Sequence, residues 1–175
     1  FGEARLKLQG YVNSITDMVI LMPGGSFNGS PADVYTNAGR ARLWGIEGSI
    51  GWLPHPRIYV EADAGFVRGT DEKYDTDLPS IPPLKAHLAT RWQAGRGFWI
   101  EPLVTLVDRQ DKVAAGERTT AGYGIVDLSL GKSLLKTSGV NHDFVVGVKN
   151  IGDTYYRDHL TVSRGYDMYG MGRSF

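Results

Sequence analysis

Apolar and polar residues alternate with period two over most of this chain, and the alternation predicts β-strands with two unlike faces. In the first stretch, Ala4 to about Met22, residues Ala4, Leu6, Leu8 and Val12 share a parity opposite Arg5, Lys7, Gln9 and Asn13. The parity is confused from Ser14 to Asp17, which predicts a bulge near Ile15. Pro23 to Asp33 (PGGSFNGSPAD) reads as a loop. The second strand runs from about Val34 to Trp52, with Trp44, Ile46, Ile50 and Trp52 opposite Gly45, Glu47, Ser49 and Gly51. Arg40 and Arg42 fall on its apolar parity, so they either sit above an apolar belt or follow a bulge.

Five further strands follow. Ile58, Val60, Ala62, Ala64 and Phe66 oppose Tyr59, Glu61, Asp63 and Gly65, and Leu84, Ala86, Leu88 and Trp92 oppose Lys85, His87, Arg91 and Gln93. Phe98, Ile100, Val104 and Leu106 oppose Glu101 and Thr105, with Pro102 implying a local bulge. Val126, Leu128 and Leu130 oppose Asp127 and Ser129 between Gly122 and Gly131, and a turn from about Lys132 to Asn141 leads onward. In the last, Phe144, Val146 and Val148 oppose Val145, Gly147 and Lys149, before a polar turn at Asn150, Gly152 and Asp153. No stretch sustains a 3.6-residue period, so no helix is expected.

Connections are short after Trp52, Trp92 and Gly131 and long after Met22, Gly69, Val107 and Ile151. Trp52, Tyr59, Trp92, Phe98 and Trp99 gather at the short-turn ends. Short turns at one end, long loops at the other and an aromatic girdle predict an antiparallel transmembrane β-barrel wall. Lys7, Glu47, Glu61, Asp63, Lys85, His87, Arg91, Glu101, Asp127 and Lys149 would face a wet or plugged lumen, where charges can pair.

Composition narrows the functions. Lys plus Arg and Asp plus Glu are both 19, so the net charge is zero and nucleic acid is not an expected partner. There is no cysteine, hence no disulfide framework and no thiolate metal site. The 23 glycines suit bending strands. No hydrolase, metalloprotease or phosphate-loop motif occurs, so no enzyme activity is expected, and no cofactor is implied.

The pieces NAGRARLWGIEGSIGW (Asn37 to Trp52), DLPSIPPLKAHLATRW (Asp77 to Trp92), TTAGYGIVDLSLG (Thr119 to Gly131), VGVKNIGDTYYRDHL (Val146 to Leu160) and GRSF (Gly172 to Phe175) occur in one order. Together they resemble the C-terminal part of the barrel of TonB-dependent outer-membrane receptors, over nearly the whole chain. The resemblance implies an all-β segment of about seven strands and the stub of an eighth, from a larger, plugged barrel. The barrel would have about 22 strands. It implies residues 1–175 as one barrel domain, without the plug or the energy-coupling box. It implies a bacterial outer-membrane location and active uptake of a metal–siderophore complex, cobalamin, haem or copper. The expected partners are outer-membrane lipid, a small nutrient ligand, and the TonB energy-transducing complex through an N-terminal region outside this chain. The Pro-Pro strand, AGYGIVDLSLG and YRDHL look most like copper-linked receptors, whose metal ligands match no position here.

Two other architectures fit the residues. One is a self-contained eight-stranded outer-membrane barrel with a structural or lipid-modifying role. The other is a soluble lipocalin-like barrel, which needs the apolar parity inside.

Candidate ligand contacts are His159, Met168 and Met171, in the long loop before GRSF, where imidazole and thioethers suit copper. His87 on the polar face is a fourth, although such a histidine more often pairs with a carboxylate. His55, between two prolines, reads as a turn residue. Asp71, Glu72, Asp75 and Asp77 form an acidic loop without the ligand spacing of a calcium site.

Overall fold

The computed structural model describes residues 2–137, 139–163 and 168–175. Its strands are β1 (Ala4–Thr16), β2 (Val19–Phe27), β3 (Ser30–Asn37), β4 (Arg40–His55), β5 (Ile58–Asp71), β6 (Thr76–Asp77), β7 (Lys85–Gly95), β8 (Phe98–Val107), β9 (Tyr123–Thr137) and β10 (Val140–Val148). One antiparallel sheet has the order β1-β4-β5-β7-β8-β9-β10, with β6 on β5, and β2 and β3 form a separate hairpin. This is the expected wall of chain-consecutive strands.

Opposed residues of an antiparallel pair share a face. Leu6 lies opposite Ile50, Ile50 opposite Ala62, Ala62 opposite Leu88, Leu88 opposite Val104, and Val104 opposite Val126. Leu130 lies opposite Val146. The apolar parity therefore stays on one face from β1 to β10. Leu88 is 46% exposed and Val146 47%, and most large side chains of that face are similarly bare. So wide an apolar surface is stable only against another apolar phase.

The two ends of the wall differ. Turns at Pro56–Arg57 and Arg96–Gly97 close hairpins at one end. Arg96 and Gly97 both have positive φ (52° and 79°), the primed-turn geometry that matches strand twist. Residues 72–84, 108–122 and 149–163 connect or follow strands at the other end. They fold over the polar parity: Leu78 and Ile81 close on Gly69, and Tyr156 stacks on Tyr123. There the polar side gives way to a small apolar core of Ile20, Ala38, Ala41 and Leu78, with Ile15, Met18, Leu43 and Ile81 against it.

Several local expectations are corrected. No bulge occurs near Ile15, because β1 and β4 pair without a slip from Ala4 to Thr16. The parity breaks instead at a kink, where Asp17 and Gly39 both take positive φ (55° and 76°) and Asp17 N–H donates to Gly39 O. Beyond the kink, the expected loop at Pro23–Asp33 is mostly strand, a hairpin turning at Asn28–Gly29. Asn-Gly is a strong primed-turn signal. The register also runs unbroken through Arg40 and Arg42, so they stand on the apolar face at its loop end.

Pro102 causes no register shift. It pairs with Leu128 on β9, while the β7 ladder skips it and resumes in register at Ile100. A proline whose missing N–H faces one neighbour interrupts that ladder alone. The turn expected from Lys132 is strand as far as Thr137, and Ser138 within it lies outside the described residues. The register shift in this hairpin falls at His142/Asp143. His159–Ser163 is a helix, α1, too short to carry a period; Asp158 Oδ1 accepts from the amides of Leu160 and Thr161 at its start. Of the expected final strand, Ser174 makes a single bridge to Lys149, just beyond β10. Tyr59 and Trp99 take the polar parity, opposite Arg91 and Gln93, and leave the outer girdle to Trp52, Trp92 and Phe98.

Candidate functional site: the loop mouth over the polar face

Charges on the polar face pair across strands. His87 Nδ1 lies 2.8 Å from Asp63 Oδ2 on the opposite residue of β5. Arg91 Nε donates to Glu101 Oε2 at 2.5 Å, and its guanidinium lies 4.4 Å from the centroid of the Trp99 ring. Trp99 can lie flat there because Gly131 faces it, a Cβ on Gly131 being only 2.2 Å from the indole. Opposite charges on a half-wet face gain from such pairing.

The mouth is held by two polar hubs. Asn150 is buried at φ 50°, in the left-handed region that Asn tolerates. Its N–H donates to Asp127 Oδ1 (2.7 Å), its Nδ2 to Thr154 O and Met171 O (2.9 and 3.2 Å), and its Oδ1 accepts from Thr154 N (2.8 Å). Asp153 Oδ1 accepts from Arg173 N. The KNIGD run thus ties the end of β10 to the segment before GRSF.

Glu117 is the second hub. One carboxylate oxygen accepts from Ser80 N (2.8 Å) and the other from Ala114 N (3.0 Å), joining two loops 37 residues apart. His159 Nε2 lies 3.4 Å from Glu117 Oε1, and Thr120 Oγ1 is 3.1 Å from His159 Nδ1. Burial alone would raise the Glu117 carboxyl, but the His159 ring and the two amides outweigh it, and the net shift is downward. Sequence reasoning missed Glu117, since a single Glu in a polar loop carries no pattern.

Between residues 118–123 and the segment after β10 lies a cavity of about 240 Å³, lined among others by Tyr123, Tyr155, Tyr156, Tyr169, Arg118 and Arg157. Tyr155 stacks on Tyr169 at 3.7 Å, and the Arg157 guanidinium lies 4.2 Å from the Tyr169 ring centroid. Phenols and guanidinium groups together can hold a planar or anionic group by stacking and charge-assisted hydrogen bonds. The doubled tyrosine beside arginine in TYYR was the available signal.

The four candidate ligand residues do not form one cluster. His159 is 2% exposed and committed to Glu117 and Thr120. Met168 and Met171 are 62% and 71% exposed on the segment before GRSF. His87 lies on β7 with Asp63. Among the described residues, no three His, Asp or Glu side chains gather as a metal site. The acidic loop is used locally: Asp71 accepts from the amides of Lys73 and Tyr74, Glu72 faces Arg40 and Arg42, and Asp77 pairs with Arg68. The His55 ring accepts from Arg57 N, as a turn residue would.

Solved structures share this fold. The chain is 21% identical to a structure titled "Copper transporter OprC", with TM-score 0.84, covering 97% of this chain and 27% of that one. The ferric enterobactin receptor PfeA aligns with TM-score 0.70 at 17% identity, over 96% of this chain and 28% of that chain. The siderophore receptor PirA from Acinetobacter baumannii aligns with TM-score 0.66 at 18% identity, over 97% and 28% respectively. The chain thus spans about a quarter of the length of these receptors. No curated protein matches its sequence. Residues 1–151 match the sequence family described as "TonB dependent receptor-like, beta-barrel", and the chain belongs to that family.

Proposed function

We propose that this chain forms part of the wall and mouth of an outer-membrane receptor that actively takes up a scarce nutrient. The observation that carries the reading is the latched mouth. Loops fold over the polar face of a receptor-family wall, Glu117 ties two of them together, and residues 118–123 with Tyr155, Tyr156, Arg157 and Tyr169 line a cavity beside that tie. The bare apolar face would meet outer-membrane lipid. A plug and the TonB energy-transducing complex would engage regions outside these residues. Catalysis has no part in this reading.

The nutrient is a metal–siderophore complex, cobalamin, haem or copper. Relatives titled as a copper transporter and as siderophore receptors support copper and metal–siderophore complexes within that range. Met168 and Met171, bare at the mouth, are proposed as first contacts for a soft metal. His159 would act indirectly, through the Glu117 latch, and His87 deeper on the polar face.

The test is isotope uptake by energised cells carrying the full-length receptor, supplied with copper, a ferric catecholate, haem or cobalamin. Energy-dependent uptake of one of these is the expected result, and uptake of none would overturn the assignment. Where copper is taken up, replacing Met168 and Met171 by leucine should lower its apparent affinity while leaving barrel assembly intact. Unchanged affinity would remove them as contacts.

A further inference from the structure

The apolar face carries a feature that membrane burial alone does not require. At the loop end of β4, Arg42 lies opposite Ser14 and Thr70, and Arg40 opposite Thr16, on the parity that faces lipid. The next residues on that face are Trp44, opposite Val12 and Arg68, then Ile46, opposite Gly10 and Phe66. Trp44 packs edge-on against Phe66, with ring centroids 5.4 Å apart.

Arg40 and Arg42 share one carboxylate. Each stands 4.0 Å from Glu72, beyond hydrogen-bond length, with side chains 67% and 52% exposed. Arg68 is satisfied by Asp77 at 3.1 Å. On the apolar face, two exposed guanidinium groups therefore share a single, loosely held carboxylate. Below them opens a groove of about 670 Å³, lined by Gly10, Val12, Arg42, Trp44, Ile46 and Thr70. At Ile46 it meets a second depression of about 520 Å³ over Gly48, Ala64 and Ala86.

We propose that this groove is a docking site for an outer-leaflet lipid whose headgroup carries phosphate. An acyl chain lies along Gly10, Val12, Trp44 and Ile46, and the phosphate meets Arg40 and Arg42. Charge complementarity selects the occupant. Guanidinium forks match phosphate oxygens, and a loosely held carboxylate such as Glu72 yields to a closer anion. An uncharged lipid leaves the arginine pair with half a partner. The proposal rests on the membrane placement above, which insertion into nanodiscs tests separately.

The experiment uses the full-length receptor in phosphatidylcholine nanodiscs doped with bis-phosphorylated lipid A or the same lipid stripped of phosphate. Native mass spectrometry counts the retained lipid. The wild type should retain the phosphorylated form preferentially, and less of it as salt rises. R40Q/R42Q should lower that retention roughly thirtyfold, two interfacial cations being lost. Gly10→Leu should lower it while leaving both arginines. A Cβ at Gly10 approaches nothing closer than 3.8 Å, so that variant should fold. Equal retention of the two lipids by the wild type, no loss in either variant, or displacement by millimolar inorganic phosphate alone would each overturn the proposal. Failure of the wild type to insert would instead overturn the membrane reading.

Discussion

Glu117 ties the mouth together from a position that the sequence does not single out. Its two oxygens hold Ser80 and Ala114, and His159 closes the third side. Glu117→Gln keeps the shape but loses the charge and one acceptor, which should cost about 1–3 kcal/mol of local stability. The readout is amide exchange at Ser80 and Ala114, which should speed up while strand amides stay protected. The pH dependence has a definite sign. The folded carboxyl lies below its ordinary 4.5, so the latch contributes fully above that value and fails as pH falls through the lower folded one. In the Gln variant this acid loss should vanish; an unchanged acid profile would refute the role.

Asn150 poses a sharper residue-scale test, because it combines a left-handed backbone with four hydrogen bonds. Asn150→Gly keeps the backbone N–H bond and tolerates the φ of 50°, but loses the side-chain bonds. Asn150→Ala loses the same bonds and adds left-handed strain of about 1 kcal/mol. Denaturant midpoints should therefore rank wild type above Gly above Ala. A Gly variant less stable than Ala would show that backbone strain is irrelevant there.

At the scale of elements, strands were legible and their ends were not. Each clean period-two run, such as Ile58 to Phe66, became a strand, because a half-buried pleat demands alternation. Boundaries failed where local chemistry outvoted parity, as at the Asp17–Gly39 kink and the Asn28–Gly29 turn. Of the site, His87 with a carboxylate partner was readable from strand parity. The Glu117 latch was not, since its partners come from Ser80, Ala114 and His159, which only the folded loops bring together. The Trp99–Gly131 pair belongs to the same class, a contact between strands fixed by register. Gly131→Val should push the indole off Arg91 and cost about 1–3 kcal/mol by overpacking. In a Trp99→Ala background the same change should cost much less. A double-mutant cycle on unfolding free energies measures this, and additive costs would deny the contact.

At the scale of the whole molecule, the decisive asymmetry is between two faces of one sheet. Leu88 lies in a row of apolar residues from Leu6 to Val126, and the adjacent His87 pairs with Asp63 on the other face. If the apolar face meets lipid, Leu88→Arg places a charge in hydrocarbon and should cost about 2–4 kcal/mol near mid-bilayer. Glu47→Arg, opposite Gly65 on the polar parity, should cost far less, because water or paired charge can receive it. A lipocalin-like arrangement would reverse the order, with Leu88→Arg buried in an apolar interior even in aqueous buffer. The measurement is folding of the full-length receptor variants into vesicles, followed by heat-modifiable migration and denaturant titration. A larger loss for Leu88→Arg in bilayers that shrinks as the bilayer is thinned would assign the cost to lipid. A loss independent of bilayer thickness would assign it to protein packing and remove the apolar face from the membrane.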